Sequence, residues 1–197
     1  MEFKIENTTV YGLERSIKAS GNPMRTVIDS SNLTEKDQIR AKNLGCTRGG
    51  EGHDNFLKGI VVQFDLTAPL YFWKQAQRYH WFDFISSQST MHCLLKFDVI
   101  KQCVPETNSE ILKIMSRLID SYLTLPDENP DKQEKWRELV ASLPSGFCLG
   151  ATMTTNYQQL KTMYNQRKHH KLKEWRIFSA WCEGLPNFRE LVMKNEN

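Results

Sequence analysis

The chain has 197 residues, 40% of them hydrophobic and 25% charged, and its 26 basic side chains exceed its 23 acidic ones by a formal +3. A chain of that length buries a core of its own, and with only ten glycines and seven prolines it is neither disordered nor collagen-like. The small net charge excludes an extended nucleic-acid binder, and no apolar run approaches the roughly 18 residues of a membrane-spanning helix.

The N-terminal MEFKIENTTVYG lacks the apolar core of a signal peptide, so the expectation is a soluble, cytoplasmic protein without membrane contact. No repeat, low-complexity tract or long linker divides the sequence, which therefore reads as one domain over 1–197. Cys46, Cys93, Cys103, Cys148 and Cys182 are an odd set with no Cys-x-x-Cys spacing and no His partner at finger distance. They read as small thiols in a reducing compartment, with no disulfide framework, no structural metal site and no cysteine singled out as a nucleophile.

In chain order, Thr34–Asn43 carries a Thr cap and acids in its first turn, and Gly45 stands where the helix should end. Thr47–Gly52 is a Gly-rich loop. Ile60–Leu66 alternates, with Ile60, Val62, Phe64 and Leu66 on one face and Gln63 and Asp65 on the other, which is a strand with one wet side. Pro69 suits the first turn of a helix over Leu70–Tyr79. The polar run Ser86–Met91 then breaks the pattern.

Ile111, Leu112, Met115, Leu118, Ile119 and Tyr122 recur at helical spacing as a core-facing stripe. Leu125–Asp131, LPDENPD, is an exposed turn between two helical patterns. Leu160, Met163 and Tyr164 form a buried stripe on a helix capped by Thr154 or Thr155, with Lys161, Gln166, Arg167 and Lys168 on its exposed face. A further helix from about Leu172 to Glu183 is closed by Gly184 with Pro186 beyond, and Met193–Asn197 reads as a frayed tail. The class is mixed α and β, helix-rich.

Three polar groupings stand apart from this scaffold: Gly52-His53-Asp54, the run Gln75–His92, and Asn156–Lys171. Each combines cations with neutral hydrogen-bonding groups rather than paired carboxylates, which suits a phosphate-bearing ligand with a heterocycle read by amides and hydroxyls. Closely paired carboxylates or a ligand triad, as in glycosidases and metal hydrolases, are not among them. His53 follows a glycine before a strand, at a strand mouth or on the surface. Arg78 and His80 can equally be solvated cations at a helix end. Arg167-Lys168-His169-His170-Lys171 brings five potentially basic residues together, but His169 and His170 are adjacent and do not share a helix face as metal ligands would.

Two blocks resemble one family. GHDNFLKGIVVQFDLTAPLYFWKQAQRYH, from Gly52 to His80, runs from a Gly-His loop through a strand and Ala-Pro to a glutamine and an arginine without a gap. Leu143-Pro144 is followed by TTNYQQLKTMYNQR, ending at Arg167. Both resemble segments of the flavin-dependent thymidylate synthases, the ThyX family, in the right order and within roughly Gly52–His92 and Leu139–Arg176. The family signature Arg-His-Arg-x-x-Ser-x-Asn-x-x-Ser-x-Arg matches the run Arg78–Thr90 in its first arginine alone. Sliding by one residue restores a serine at Ser89 and places Met91 at the final arginine. A phosphate-contacting arginine of the family falls near Val140, and the arginine of its Asn-Ala-Arg-Ser segment falls on Gln158. An arginine that forks onto phosphate is not reproduced by Thr, Met, Val or Gln.

The resemblance implies a ThyX-like fold, an antiparallel sheet with flanking helices, and a homotetramer holding FAD between subunits. It implies His53, Arg78, His80, Asn156 and Lys171 around the cofactor. Gln75, Arg78, Ser86, Gln88, Ser89, Thr90 and Gln158 would lie around the substrate, and Arg167 would polarise the pyrimidine. The implied reaction methylates dUMP or a related pyrimidine nucleotide, with methylenetetrahydrofolate as carbon donor and NADPH as reductant. Lys74, His80, Lys171 and the hydroxyls of Ser86, Ser87, Ser89 and Thr90 offer a different phosphate geometry in place of the replaced arginines. The alternative keeps the fold and drops the reaction: a viral or prophage-borne protein that sequesters or senses a nucleotide.

Overall fold

The structure is a computed structural model, and it describes residues 1–193. The tail expected over Met193–Asn197 lies outside the described residues except for Met193 itself. In chain order the described elements are β1 (Lys4–Tyr11), α1 (Leu13–Ala19), α2 (Glu35–Gly45), β2 (Val61–Pro69), α3 (Leu70–Ala76), β3 (Asp83–Ser87), α4 (Thr90–Cys93), α5 (Val99–Gln102), α6 (Ser109–Leu123), α7 (Lys132–Ala141), β4 (Cys148–Asn156), α8 (Tyr157–Arg167), α9 (Lys173–Glu183) and α10 (Phe188–Val192). The four strands form one antiparallel sheet in the order β1-β2-β4-β3. By contacts the chain divides into two compact units whose boundaries fall within each of the four strands and at the end of α3.

The first unit takes residues 1–4, 66–76 and 86–151. Its core is Leu94, Val99, Cys103, Met115, Leu139 and Phe147, packed under α6 and α7. The stripe expected on α6 is only partly sunk: Met115 is buried, Leu112, Leu118 and Ile119 lean on the core, and Ile111 is 44% exposed. α6 is packed on one side, by α7 and α5, which covers a narrower stripe than the sequence offers. The turn at Leu125–Asp131 does separate α6 from α7.

The second unit takes residues 5–65, 77–85 and 152 onward. The alternation of β2 is as expected, with Ile60, Val62 and Phe64 here and Leu66 in the other unit all sealed from solvent. Asp65 faces the wet side, where it accepts hydrogen bonds from Asn7 Nδ2 at 2.7 Å and Thr152 Oγ1 at 2.6 Å. These donors hold its carboxyl below the usual carboxylate range, Asn7 contributing most.

Thr34 caps α2 in a reciprocal box with Asp37. Gly45 is the last helical residue rather than the one beyond it, and its lack of a side chain has another cause. A Cβ there would overlap the carbonyl of Leu191, so the glycine permits α10 to rest against the end of α2.

Three local expectations are corrected. α3 ends at Ala76, so Arg78 and His80 lie in the following loop and not on a helix. Ser86 and Ser87 finish β3, a strand exposed along its length, and Ser89 caps the short α4. The cap of α8 is Asn156, whose Oδ1 accepts from the Gln159 amide at 2.9 Å. Thr155 belongs to β4 and spends its hydroxyl on the Trp81 carbonyl at 2.6 Å. An amide at the first cap position satisfies a helical N–H as well as a hydroxyl does, which leaves the threonines to the strand. Cys103, Cys148 and Cys182 are buried thiols and Cys46 and Cys93 half-buried ones, none in a disulfide.

Candidate functional site

Within the second unit, β4 delivers the chain to α8, and α8 turns one face toward the Gly-rich loop after α2. Gln158, Lys161, Thr162 and Asn165 recur at spacings of three and four, which stacks them on one face. Together with Gly49, Asn55, Trp81 and Gln166 they line an open cavity of about 590 Å³. The loop can take this course because Gly50 and Gly52 hold φ of +94° and +82°.

Lys161 was expected on the exposed face of its helix and is instead 5% exposed. Its Nζ donates to the carbonyls of Gly45 at 2.8 Å and Thr47 at 2.7 Å, and to Asp54 Oδ2 at 2.7 Å. All three ammonium hydrogens are thereby used. The second oxygen of Asp54 accepts from Gln158 Nε2 at 3.0 Å. The floor of the cavity is thus a closed network in which each buried charge meets its opposite.

Arg167, also expected in the open, is half-buried at the end of α8. Its guanidinium lies 4.7 Å from the ring centre of Trp175 and 5.5 Å from that of Tyr79, and its Nε donates to Tyr79 Oη at 2.7 Å. Tyr79 Oη in turn donates to Gln166 Oε1 at 2.9 Å, and Gln166 lines the cavity. Behind them Trp175 meets Phe178, Phe178 meets Phe82, and Phe82 meets Phe64, each at 5.7–5.9 Å between ring centres. The cation is therefore anchored on the aromatic core.

The basic run beyond α8 is less cationic than its letters. Burial, then the charges of Arg167, Arg176 and Lys171, pull the His170 pKa below its ordinary value. Its Nδ1 accepts from the Leu172 amide at 3.1 Å, a role open only to the neutral ring. Lys171 is exposed, and its carbonyl accepts from Arg176.

The remaining residues singled out in the sequence fall as follows. His53 and Arg78 are exposed, and His80 is exposed with its ring edge-on to Trp81 at 4.9 Å. Asn156 gives its oxygen to the helix cap. Of these cofactor and nucleotide candidates, Gln158 lines the cavity, and Arg167 joins it through Tyr79 and Gln166. In the first unit Gln75 is half-buried on α3, and Ser86 is exposed on β3. Gln88 and Gly150 exchange two hydrogen bonds, from Gly150 N to Gln88 Oε1 at 2.8 Å and from Gln88 N to Gly150 O at 2.9 Å. Ser89 caps α4, and Thr90 opens it. Residues that sequence reasoning missed are Asp54, Asn55, Lys161 and Tyr79. Asp54, Tyr79 and Lys161 lie within the three polar groupings, which gave them no role of their own, and no signal pointed to Asn55.

Among the described residues no group of three or more His, Cys, Asp and Glu side chains is placed to hold a metal ion, and no helix is long and apolar enough to cross a membrane.

No family model matches the chain, and no curated protein matches it. Solved structures do. One is the flavin-dependent thymidylate synthase ThyX from Helicobacter pylori complexed with FAD and dUMP, 15% identical, with a TM-score of 0.70 over 98% of both chains. Another, of thymidylate synthase X from Helicobacter pylori with FAD and dUMP, is also 15% identical with a TM-score of 0.70, over 98% of this chain and 97% of that one. The chain has the ThyX fold, reached with very few of the same residues.

Proposed function

We propose that this chain binds a flavin and a pyrimidine nucleotide and acts as a divergent thymidylate synthase-like methyltransferase. On this reading it methylates dUMP or a related nucleotide, with methylenetetrahydrofolate as carbon donor and NADPH as reductant. The observation that carries the reading is the connection of an amide-lined cavity, through Gln166 and Tyr79, to a fixed guanidinium at Arg167. Solved structures of the same fold hold FAD and dUMP, which supports the choice of ligands.

The residues present fit a flavin or pyrimidine ring. Trp81 is 54% exposed at the cavity and offers a stacking face, while Asn55, Asn165 and Gln166 offer donors and acceptors to a heterocycle edge and Gln158, its NH2 group already bonded to Asp54, offers an acceptor. When bound, FAD supplies the hydride chemistry. This chain's residues bind and orient. Arg167, pinned by Tyr79 and Trp175, presents a charge of set direction to a pyrimidine oxygen, and a preset charge needs no reorganisation when electron density develops there. Arg78, His53, His80 and Lys171 supply exposed cationic or polar groups toward the cofactor, with Asn156 at the head of α8. Gln75, Ser86, Gln88, Ser89 and Thr90 are the first unit's candidates for the substrate.

A homotetramer in a reducing cytoplasm, with the chain acting as one domain, belongs to the same reading. The exposed Phe84 and Ile85 on β3 and the five reduced cysteines are what support it.

One observation favours a second reading, a nucleotide-binding protein without catalysis. Gln158, at the place of a family arginine, is a neutral amide already bonded to Asp54, so its donor is not offered to a phosphate. An absorbance spectrum of the purified protein with and without FAD, followed by turnover assays with dUMP, separates the two. Stoichiometric flavin and methylated product establish the enzyme. A retained nucleotide without flavin establishes the binding protein.

A further inference from the structure

We propose that a second cavity on the other flank of α8, also within the second unit, is the phosphate subsite of the ligand read in the amide-lined cavity. This inference rests on the nucleotide reading above. The second cavity, of about 880 Å³, is bounded by the Gly-rich loop, the C-terminal turn of α8 and the end of the described chain. It shares Gly49, Lys161 and Asn165 with the first cavity, so a single ligand can extend from one into the other.

Its lining is cationic. Arg48 comes from the loop, and Lys168 and His169 come from the residues just beyond α8. Arg48 and His169 are exposed, and among the described residues neither side chain has a hydrogen bond or ion pair. Lys168 Nζ lies 5.6 Å from the ring centre of Tyr164, which holds its stem without neutralising its charge. Glu183, the acidic side chain in the lining, is already engaged by Tyr164 Oη at 2.8 Å and Arg189 Nη2 at 2.9 Å. Lys161 is balanced by Asp54. Two uncompensated cations and an imidazole therefore face one hollow, which is the chemistry that holds a phosphate ester or pyrophosphate.

The loop that carries Arg48 is fixed rather than loose. The Thr47 carbonyl accepts from Lys161 Nζ, the Thr47 hydroxyl donates to the Leu44 carbonyl at 2.7 Å, and Cys46 Sγ donates to the Met193 carbonyl at 3.2 Å. An arginine on an anchored loop loses little freedom on gripping an anion. This subsite answers the replacement of the signature arginines: the charge has moved to a different wall of the fold. The shared chemistry is phosphate on a heterocyclic ligand, and its source is either the substrate nucleotide or the flavin.

Titration calorimetry of the full chain tests this with inorganic pyrophosphate, dUMP, uridine and FAD on the wild type, Arg48→Ala, Lys168→Ala and the double variant. Lys113→Ala, which removes an exposed cation on α6, is the control, and thermal melts confirm that each variant folds. The expected result is pyrophosphate binding that weakens at least tenfold in each single variant, disappears in the double variant and is unchanged by Lys113→Ala. Loss of dUMP affinity assigns the site to the substrate phosphate, and loss of FAD affinity to the flavin pyrophosphate; either supports the subsite. Absence of pyrophosphate binding, or equal binding by the double variant, overturns it. If pyrophosphate binds through Arg48 and Lys168 while dUMP and FAD do not bind, the nucleotide reading fails and the subsite stands. If dUMP and FAD both bind, and both bind equally to wild type and double variant, the subsite fails and the nucleotide reading stands.

Discussion

Lys161 Nζ and Asp54 Oδ2 meet at 2.7 Å with 6% and 2% of their side chains exposed, across 107 residues of sequence. The pair ties α8 to the loop ahead of β2, and through the carbonyls of Gly45 and Thr47 it ties both to the end of α2. Removing one partner strands the other charge away from water. Lys161→Met should destabilise the chain by about 3–5 kcal/mol, the range for breaking a buried pair. Lys161→Met with Asp54→Leu should recover part of that loss, because neither charge is then stranded. Urea unfolding of the three variants checks both statements, and a double variant weaker than Lys161→Met would refute the pairing argument.

The residues of this network show what was legible in the sequence and what was not. The β2 strand declared itself by strict alternation, α2 by its cap and acids, and α9 by Gly184, since each signal is local. The sheet beyond β2 was hidden. β3 is exposed on both faces and has no alternation to read, and β4 carries a glycine and runs straight into the α8 cap, so its threonines looked like the cap itself. At the site, spacing on α8 suggested that Lys161 and Arg167 were solvated. Their burial comes from Asp54 and from Tyr79 and Trp175, partners that only the folded chain brings close.

Arg167 and Arg78 separate anchoring from surface presentation. Arg167→Ala removes a stacked, hydrogen-bonded cation and should cost about 0.5–2 kcal/mol of stability. Arg78→Ala alters an exposed loop and should stay within about 0.5 kcal/mol. Both should weaken binding of the nucleotide or flavin. Denaturation curves give the first comparison and titration with FAD and dUMP the second; undiminished affinity in both variants contradicts the site assignment.

The α1–α2 corner sets an acid limit. Asp37, capped by Thr34 and paired with Lys18 at 2.9 Å and Arg25 at 3.1 Å, is held well below the usual carboxylate range by Thr34 first, then Lys18 and Arg40. A depressed folded pKa contributes stability above the unfolded value, about 3.9, and loses it as pH falls through the folded one. His170 acts in the same sense at milder pH, because the folded chain keeps it neutral and the unfolded chain protonates it near its ordinary value of about 6.5. Unfolding midpoints measured from pH 7 to 1 should therefore fall in two stages. His170→Gln should remove the upper stage and Asp37→Asn the lower; a profile unchanged by both substitutions would exclude these groups as its origin.

Trp81 reports on occupancy of the first cavity. More than half of its surface is open, its carbonyl is fixed by Thr155, and the adjacent imidazole of His80 meets it in a T-shaped contact at 4.9 Å between ring centres. A flavin or pyrimidine ring entering among Asn55, Gln158 and Gln166 has this indole as its nearest stacking surface, worth about 1–3 kcal/mol per base in sites that stack bases on aromatic rings. Binding should quench part of the tryptophan emission, and Trp81→Ala should remove that quench and weaken the heterocycle by roughly tenfold or more. Binding of inorganic pyrophosphate should be indifferent to the same substitution, since Trp81 lines the amide cavity and not the cationic one. Equal loss of both ligands in Trp81→Ala would mean that ring and phosphate are not read by separate walls, and the division of the site between the two flanks of α8 would have to be abandoned.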